Sequence, residues 1–304
     1  MPVRYNTYMP ELPEVETIRV GLQGAIVGLR ITDIEVLNPK SFHSEPELAD
    51  AQAIGARVDR LDRRGKVLIM ELDSGYSLLF HLKMTGQMVL VGPDGARSAG
   101  GHPTKSMAEA LPDKSTKVIF RFDDGSTLYF NDQRIFGWIK LVLNNEVLRD
   151  SLIARLGPEP LTEKFELPGF AAVLARRPKS PIKAVILDQS TVAGVGNIYA
   201  DESLHLAKIH PATPAGQLTK PQVKRLYEAI KTIIALGITY GGTSFSSYVN
   251  ALGGQGNYFD HARVFRRQGQ TCPVCGTVII KTRVAGRGTH LCPKCQKRLA
   301  GSAA

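Results

Sequence analysis

Four cysteines carry the most specific chemistry in this 304-residue sequence, and all four fall between positions 272 and 295. Cys272 and Cys275, then Cys292 and Cys295, form two C-x2-C pairs separated by sixteen residues, the spacing of two knuckles that close tetrahedrally on one zinc ion. Two short disulfides or a redox dithiol would use the same residue type. A chain with no other cysteine lacks the dispersed framework of a disulfide-stapled domain, so one structural Zn2+ is the expectation. Four protein ligands leave no open catalytic position. Between the knuckles, apolar and basic residues alternate around Gly286, Arg287 and Gly288, which predicts a hairpin whose tip presents Arg287. An arginine there suits a phosphate, or is simply solvated.

The elements that must position this chemistry follow from periodicity. Residues 11–27 read as a helix: Pro13 suits a first turn, Glu14 and Glu16 favour its positive end, Val15, Ile18, Leu22 and Ile26 form an apolar stripe, and Gly28 stops it. From Ile31 to about Leu143 the pattern becomes short strands, with apolar runs at Val67 to Leu72, Leu78 to Leu82, Val118 to Phe122 and Leu128 to Phe130. Asp123, Asp124 and Gly125 signal a hairpin, and the Gly-, Pro-, Ser- and Ala-rich stretch from Gly92 to Asp113 reads as a long exposed loop. Helical periodicity returns in Phe170 to Arg177, Ile182 to Leu187, Ala200 to Ala207 and Gln222 to Leu236. Residues 241–260 are Gly-, Ser- and aromatic-rich, a mobile loop leading into the cysteines.

A formal charge of +10 at 22% charged residues is an excess of Lys and Arg, which favours a polyanionic partner. Nucleic acid, an anionic membrane or an acidic protein would each fit. No run of eighteen apolar residues occurs and the N-terminus has no signal-peptide core, so a soluble, cytoplasmic protein is expected.

The string from Met9 to Thr17, MPELPEVET, resembles the N-terminus of the formamidopyrimidine-DNA glycosylase family, which includes an endonuclease VIII branch, and its intact form points to the formamidopyrimidine branch. Four further segments match in order: Arg64-Gly65-Lys66, His81 to Gly86 (HLKMTG), Asp132 to Gly137 (DQRIFG) and Gly194 to Ala200 (GVGNIYA). With the cysteines, the resemblance runs from residue 9 to about 297. It implies an α+β multidomain protein: an N-terminal helix plus β-sandwich (9–145), a helix-two-turn-helix domain with a lesion-capping loop (146–260) and a C-terminal zinc finger (261–300), with double-stranded DNA in the cleft between lobes and the protein acting as a monomer.

The implied reaction removes an oxidised purine and then nicks the strand. A proline at a free N-terminus is a secondary amine, and α-amino groups titrate near pH 7.7 to 8.0, so a useful fraction is neutral and nucleophilic. By resemblance Pro10 is the nucleophile, Glu11 the acid that protonates the opened sugar, Lys66 the β-elimination residue and Arg287 the finger arginine of δ-elimination, physically a phosphate ligand. Glu14 helps orient the nucleophile, and Thr243, Ser247 and Tyr248 offer hydrogen bonds to an extruded base. Lys179, Lys183, Arg134 and Asn197 match DNA contacts, while Met84, Arg134 and Phe136 match the side chains that fill the gap left by the extruded nucleotide.

Two positions depart from the family pattern: Ile135 stands where a second basic residue is common, and Ser115 where a histidine commonly contacts DNA. Pro10 has a free nitrogen only if it begins the mature protein; Met9 is therefore expected to be the true start, with residues 1–8 an extension. The competing readings are an endonuclease VIII-like enzyme for oxidised pyrimidines and a catalytically silent DNA-binding protein.

Overall fold

The computed structural model describes residues 9–102, 107, 109–243 and 257–298. No helix among them is long and apolar enough to cross a membrane. They form two compact units: one runs to Ala154 and includes the described part of Tyr240–Asn257, and the other comprises Arg155–Thr239 and the described residues from Tyr258.

The first unit opens with helix α1 (Leu12–Ile26), whose buried Val15, Ile18, Leu22 and Ile26 are the stripe expected from sequence. Nine strands follow: β1 (Ile31–Val36), β2 (Val58–Arg64), β3 (Val67–Leu72), β4 (Tyr76–His81), β5 (Gly86–Val91), β6 (Arg97–Gly101), β7 (Thr116–Phe122), β8 (Thr127–Asp132) and β9 (Trp138–Leu143), with a short helix α2 (Pro46–Ala53) between β1 and β2. They build two antiparallel sheets, β1-β7-β8-β5-β6 and β2-β3-β4-β9, the predicted sandwich. Leu68, Met70, Leu78 and Phe80 join the main core, whereas Val67, Ile69 and Leu79 point the other way and pack with Val147 and Ile153. Both faces of these strands are covered, which is why their sequences are continuous apolar runs rather than alternating ones.

The stretch from Gly92 to Asp113, expected as an exposed loop, contains edge strand β6 paired to β5. Its small residues have a packing reason. A Cβ on Gly100 would lie 2.3 Å from Ile18 Cγ1, so the glycine lets α1 lie directly on the strand.

The second unit contains α3 (Leu167–Arg176), α4 (Ile182–Leu187), α5 (Asn197–Leu206), α6 (Lys220–Thr239), the single turn α7 (Tyr258–His261) and a hairpin of β10 (Ile280–Val284) and β11 (Arg287–Leu291). In α6 the buried Leu226, Tyr227, Ile230, Ile233 and Ile234 mark one face, and Tyr227 stacks on Phe165 with its hydroxyl donating to the Phe165 carbonyl at 2.7 Å. The helical stretches read from periodicity are all present; α5 begins three residues earlier than Ala200, because Gly196 supplies the extended N-cap.

Candidate functional site

The N-terminal end of α1 gathers Pro10, Glu11 and Glu14, all buried. Glu11 and Glu14 form a capping box in which the Glu11 N–H donates to Glu14 Oε2 at 3.0 Å. The other oxygen of Glu14 accepts from the Thr243 N–H at 2.8 Å and the Thr243 hydroxyl at 2.9 Å. Glu14 therefore spends its acceptors on the protein, joining the start of α1 to Thr243. Gly242, at φ +72°, sits so close to Glu14 that a Cβ there would lie 3.0 Å from its carboxylate. Ser247 and Tyr248 lie outside the described residues.

Lys66 occupies the two-residue turn between β2 and β3, where Gly65 adopts φ 59° and Arg64 pairs with Val67. It lies at the start of a strand as expected, but buried rather than displayed. Arg63 ties this turn to α1: its Nε donates to Glu16 at 2.8 Å and its Nη1 to the Gly65 carbonyl at 3.2 Å. Burial works to raise the Glu16 carboxyl, yet the hydrogen bonds and charges of Arg19 and Arg63 hold it below its ordinary value.

Met84, Arg134 and Phe136 are fifty residues apart in sequence and adjacent in topology. The segments 82–85 and 133–137 are the two short crossovers from sheet to sheet, the β1–β2 connection being a third and longer one, and they run side by side because β4 pairs with β9 and β5 with β8. Phe136 is 52% exposed, with the Arg134 guanidinium 4.7 Å from its ring centroid. At the base of the crossovers His81 is buried against Trp138, with ring centroids 5.6 Å apart, and its Nδ1 accepts the Lys83 N–H at 3.0 Å. Burial, then the charges of Lys83 and Lys66, push its pKa down to about 3. Ser115 is turned inward, its hydroxyl donating to Asp113 at 2.6 Å, so it shapes its own turn.

In the second unit the expectations for Lys183 and Arg287 need correction. Lys183 is fully buried; its Nζ lies 2.6 Å from Asp201 and donates to the Gly288 carbonyl at 2.9 Å and the Thr289 hydroxyl at 2.8 Å. Its charge is matched inside the protein, where it fastens the hairpin to α4. Arg287 is exposed, but the turn is Ala285-Gly286, at φ 48° and 76°, and Arg287 begins β11 opposite Val284. Lys179 is exposed in the turn before α4. Asn197 opens α5 as expected, and its amide donates to the same Gly288 carbonyl at 3.0 Å.

The acidic pair Asp201 and Glu202, with no role read from sequence, completes this docking. Asp201 accepts the His290 N–H at 2.8 Å, and Glu202 accepts the N–H groups of Arg263, Val264 and Phe265 at 2.7 to 2.9 Å. Burial pushes the Glu202 carboxyl up while those three donors pull it down. The sequence signal was a pair of adjacent carboxylates directly after the Gly194 to Ala200 motif.

The four cysteine sulfurs all lie within 4.8 Å of one another, with Cys275 to Cys292 at 3.4 Å and Cys272 to Cys295 at 3.9 Å. A tetrahedral site with Zn–S of about 2.3 Å has S···S edges of about 3.8 Å, so the set fits one structural zinc ion. His205 Nε2, on α5, stands 3.5 Å from Cys272 Sγ and is placed to donate to the thiolate.

Three family models match the chain: the formamidopyrimidine-DNA glycosylase N-terminal domain over residues 9–139, the formamidopyrimidine-DNA glycosylase H2TH domain over 156–249, and the zinc finger found in FPG and IleRS over 269–298. Among curated relatives, the formamidopyrimidine-DNA glycosylase of Symbiobacterium thermophilum is 43% identical, covering 95% of this chain and 89% of its own, and that of Heliobacterium modesticaldum is 41% identical, covering 95% and 100%. Among solved structures, the Lactococcus lactis Fpg in complex with an abasic site containing DNA superposes with a TM-score of 0.84 at 37% identity, over 95% of this chain and 100% of that one. A mutant of the same protein, in complex with a Fapy-dG containing DNA, gives the same values.

Proposed function

The chain belongs to the formamidopyrimidine-DNA glycosylase family, and from that premise we propose how its own residues run the reaction. The protein is a base-excision-repair enzyme, a DNA glycosylase and abasic-site lyase with one structural zinc, acting on damaged DNA. Its preferred lesions are oxidised purines, 8-oxoguanine and formamidopyrimidines, and its working place is the cytoplasmic chromosome of a bacterium.

The carrying observation is the buried N-terminal end of α1, where Pro10 adjoins Glu11 and Glu14 braces both Glu11 and Thr243. In the form of the chain that begins at Pro10, its secondary amine attacks the sugar C1′, the C1′–N bond to the base breaks, and an iminium forms. Glu11 protonates the sugar ring oxygen as the ring opens. The iminium draws electrons from C2′, whose proton is lost as the 3′ phosphate departs; Lys66 serves this step and Arg287 binds phosphate. Thr243, held by Glu14, stands where the extruded base is recognised. Met84, Arg134 and Phe136 fill the gap in the duplex, their exposed aromatic and cationic surface replacing lost stacking. Arg134, Lys179, Asn197 and Arg287 supply DNA contacts.

Borohydride reduction in the presence of 8-oxoguanine duplex should trap a covalent protein–DNA adduct, with peptide mapping placing it on Pro10. A mature chain whose mass shows residues ahead of Pro10, yet which nicks at full rate, would sink the proline mechanism. Competition between 8-oxoguanine and an oxidised pyrimidine in otherwise identical duplexes separates the two branches of the family: preference for the pyrimidine overturns the substrate reading.

A further inference from the structure

We propose that Asp132 is the positioning residue of the gap-filling apparatus: one buried carboxylate holds both crossovers in the shape that enters the duplex. Asp132 is fully buried. Its Oδ1 accepts the Thr85 hydroxyl, from the crossover that carries Met84, and the Arg134 N–H at 3.1 Å. Its Oδ2 accepts the Phe136 N–H at 2.8 Å and the Gly137 N–H at 2.6 Å. The Arg134 N–H also reaches Thr85 Oγ1 at 3.1 Å, closing the network.

Ile135, between the two gripped peptides, has φ 56°. A β-branched residue in the left-handed region is a backbone outlier that persists only where its surroundings over-determine it. The three N–H groups on Asp132 flank that residue and do so. Gly137 has a matching reason: a Cβ there would lie 2.9 Å from Phe130 Cζ and 3.1 Å from Asp132 Oδ2, so only glycine lets the loop close on the carboxylate. The result is a stiff loop that leaves Ile135 and Phe136 exposed and costs little further ordering on insertion. An asparagine at 132 would turn an amide donor toward the N–H groups of Phe136 and Gly137 and release the grip.

This inference rests on the reading of Met84, Arg134 and Phe136 as gap fillers, and the test separates the two. A 2-aminopurine placed opposite the lesion reports insertion by its fluorescence. Asp132→Asn is expected to lose most of that rise and at least about tenfold in single-turnover excision of 8-oxoguanine from duplex, since an ångström of misplacement costs on that order or more. If Asp132→Asn does not fold, Thr85→Val, which removes only the hydroxyl link, is read instead with a smaller loss of the same signal. A folded Asp132→Asn with wild-type fluorescence and excision overturns the proposal, as does wild-type signal in Thr85→Val where that variant is the one read. A Met84→Ala, Arg134→Ala, Phe136→Ala triple variant that keeps the signal overturns the gap-filling reading itself.

Discussion

At the scale of single residues, side chains of the same type divide by what the fold does with them. Lys66, Lys179 and Lys183 all read as DNA-facing cations. Only Lys179 is on the surface; Lys183 is consumed by Asp201, Gly288 and Thr289. Nothing in a one-dimensional pattern distinguishes them, because burial of a charge is decided by tertiary partners, here Asp201 on the next helix and the hairpin more than a hundred residues away. His81 makes a measurable prediction. Its folded pKa of about 3 lies below the ordinary value, so between roughly pH 6.5 and 3 the unfolded chain holds a proton that the folded one does not. Stability is complete above that window and falls as pH drops through it, by about 1.4 kcal/mol per pH unit from this one group. Urea titrations across the window should show His81→Gln losing that part of the slope. An unchanged slope would refute the assignment.

At the scale of elements, the hairpin β10–β11 is held at one end by the four sulfurs and on its flank by a polar docking network from α4 and α5. Metal and helices therefore share the load. Replacing Cys272 with Ser should release zinc, abolish tight DNA binding and leave the sandwich folded. Hydrogen exchange should rise in the hairpin and also in α5, whose Asp201 loses its ordered partners, while β3, β4 and β8 keep their protection. Exchange confined to the hairpin would show that the network holds without the metal. The sequence marked the knuckles because metal spacing is a local rule. It misread β6, where small residues that look like loop composition serve the close approach of α1.

At the scale of the whole molecule, the excess of positive charge predicts binding that weakens with salt. Arg287→Ala should reduce the slope of log affinity against log salt by about one, as loss of a phosphate contact does. Lys183→Met should not reduce the slope, because Asp201 already balances that charge; its cost should appear as a lower melting temperature. Equal slope changes for the two variants would contradict the burial of Lys183.

Read alone, the sequence determined the zinc ligands, the order of sandwich, helices and finger, and the motifs that carry the family resemblance. Each of these depends on spacing over a few residues or on periodicity along one element. Tertiary structure alone decided that Glu14 meets Thr243 across 229 positions, that Thr85 and Phe136 share the one carboxylate of Asp132, and that Lys183 is buried against Asp201. The physical reason is that sheet order and crossover adjacency bring distant backbone and charge together. No local period records which strands will pair.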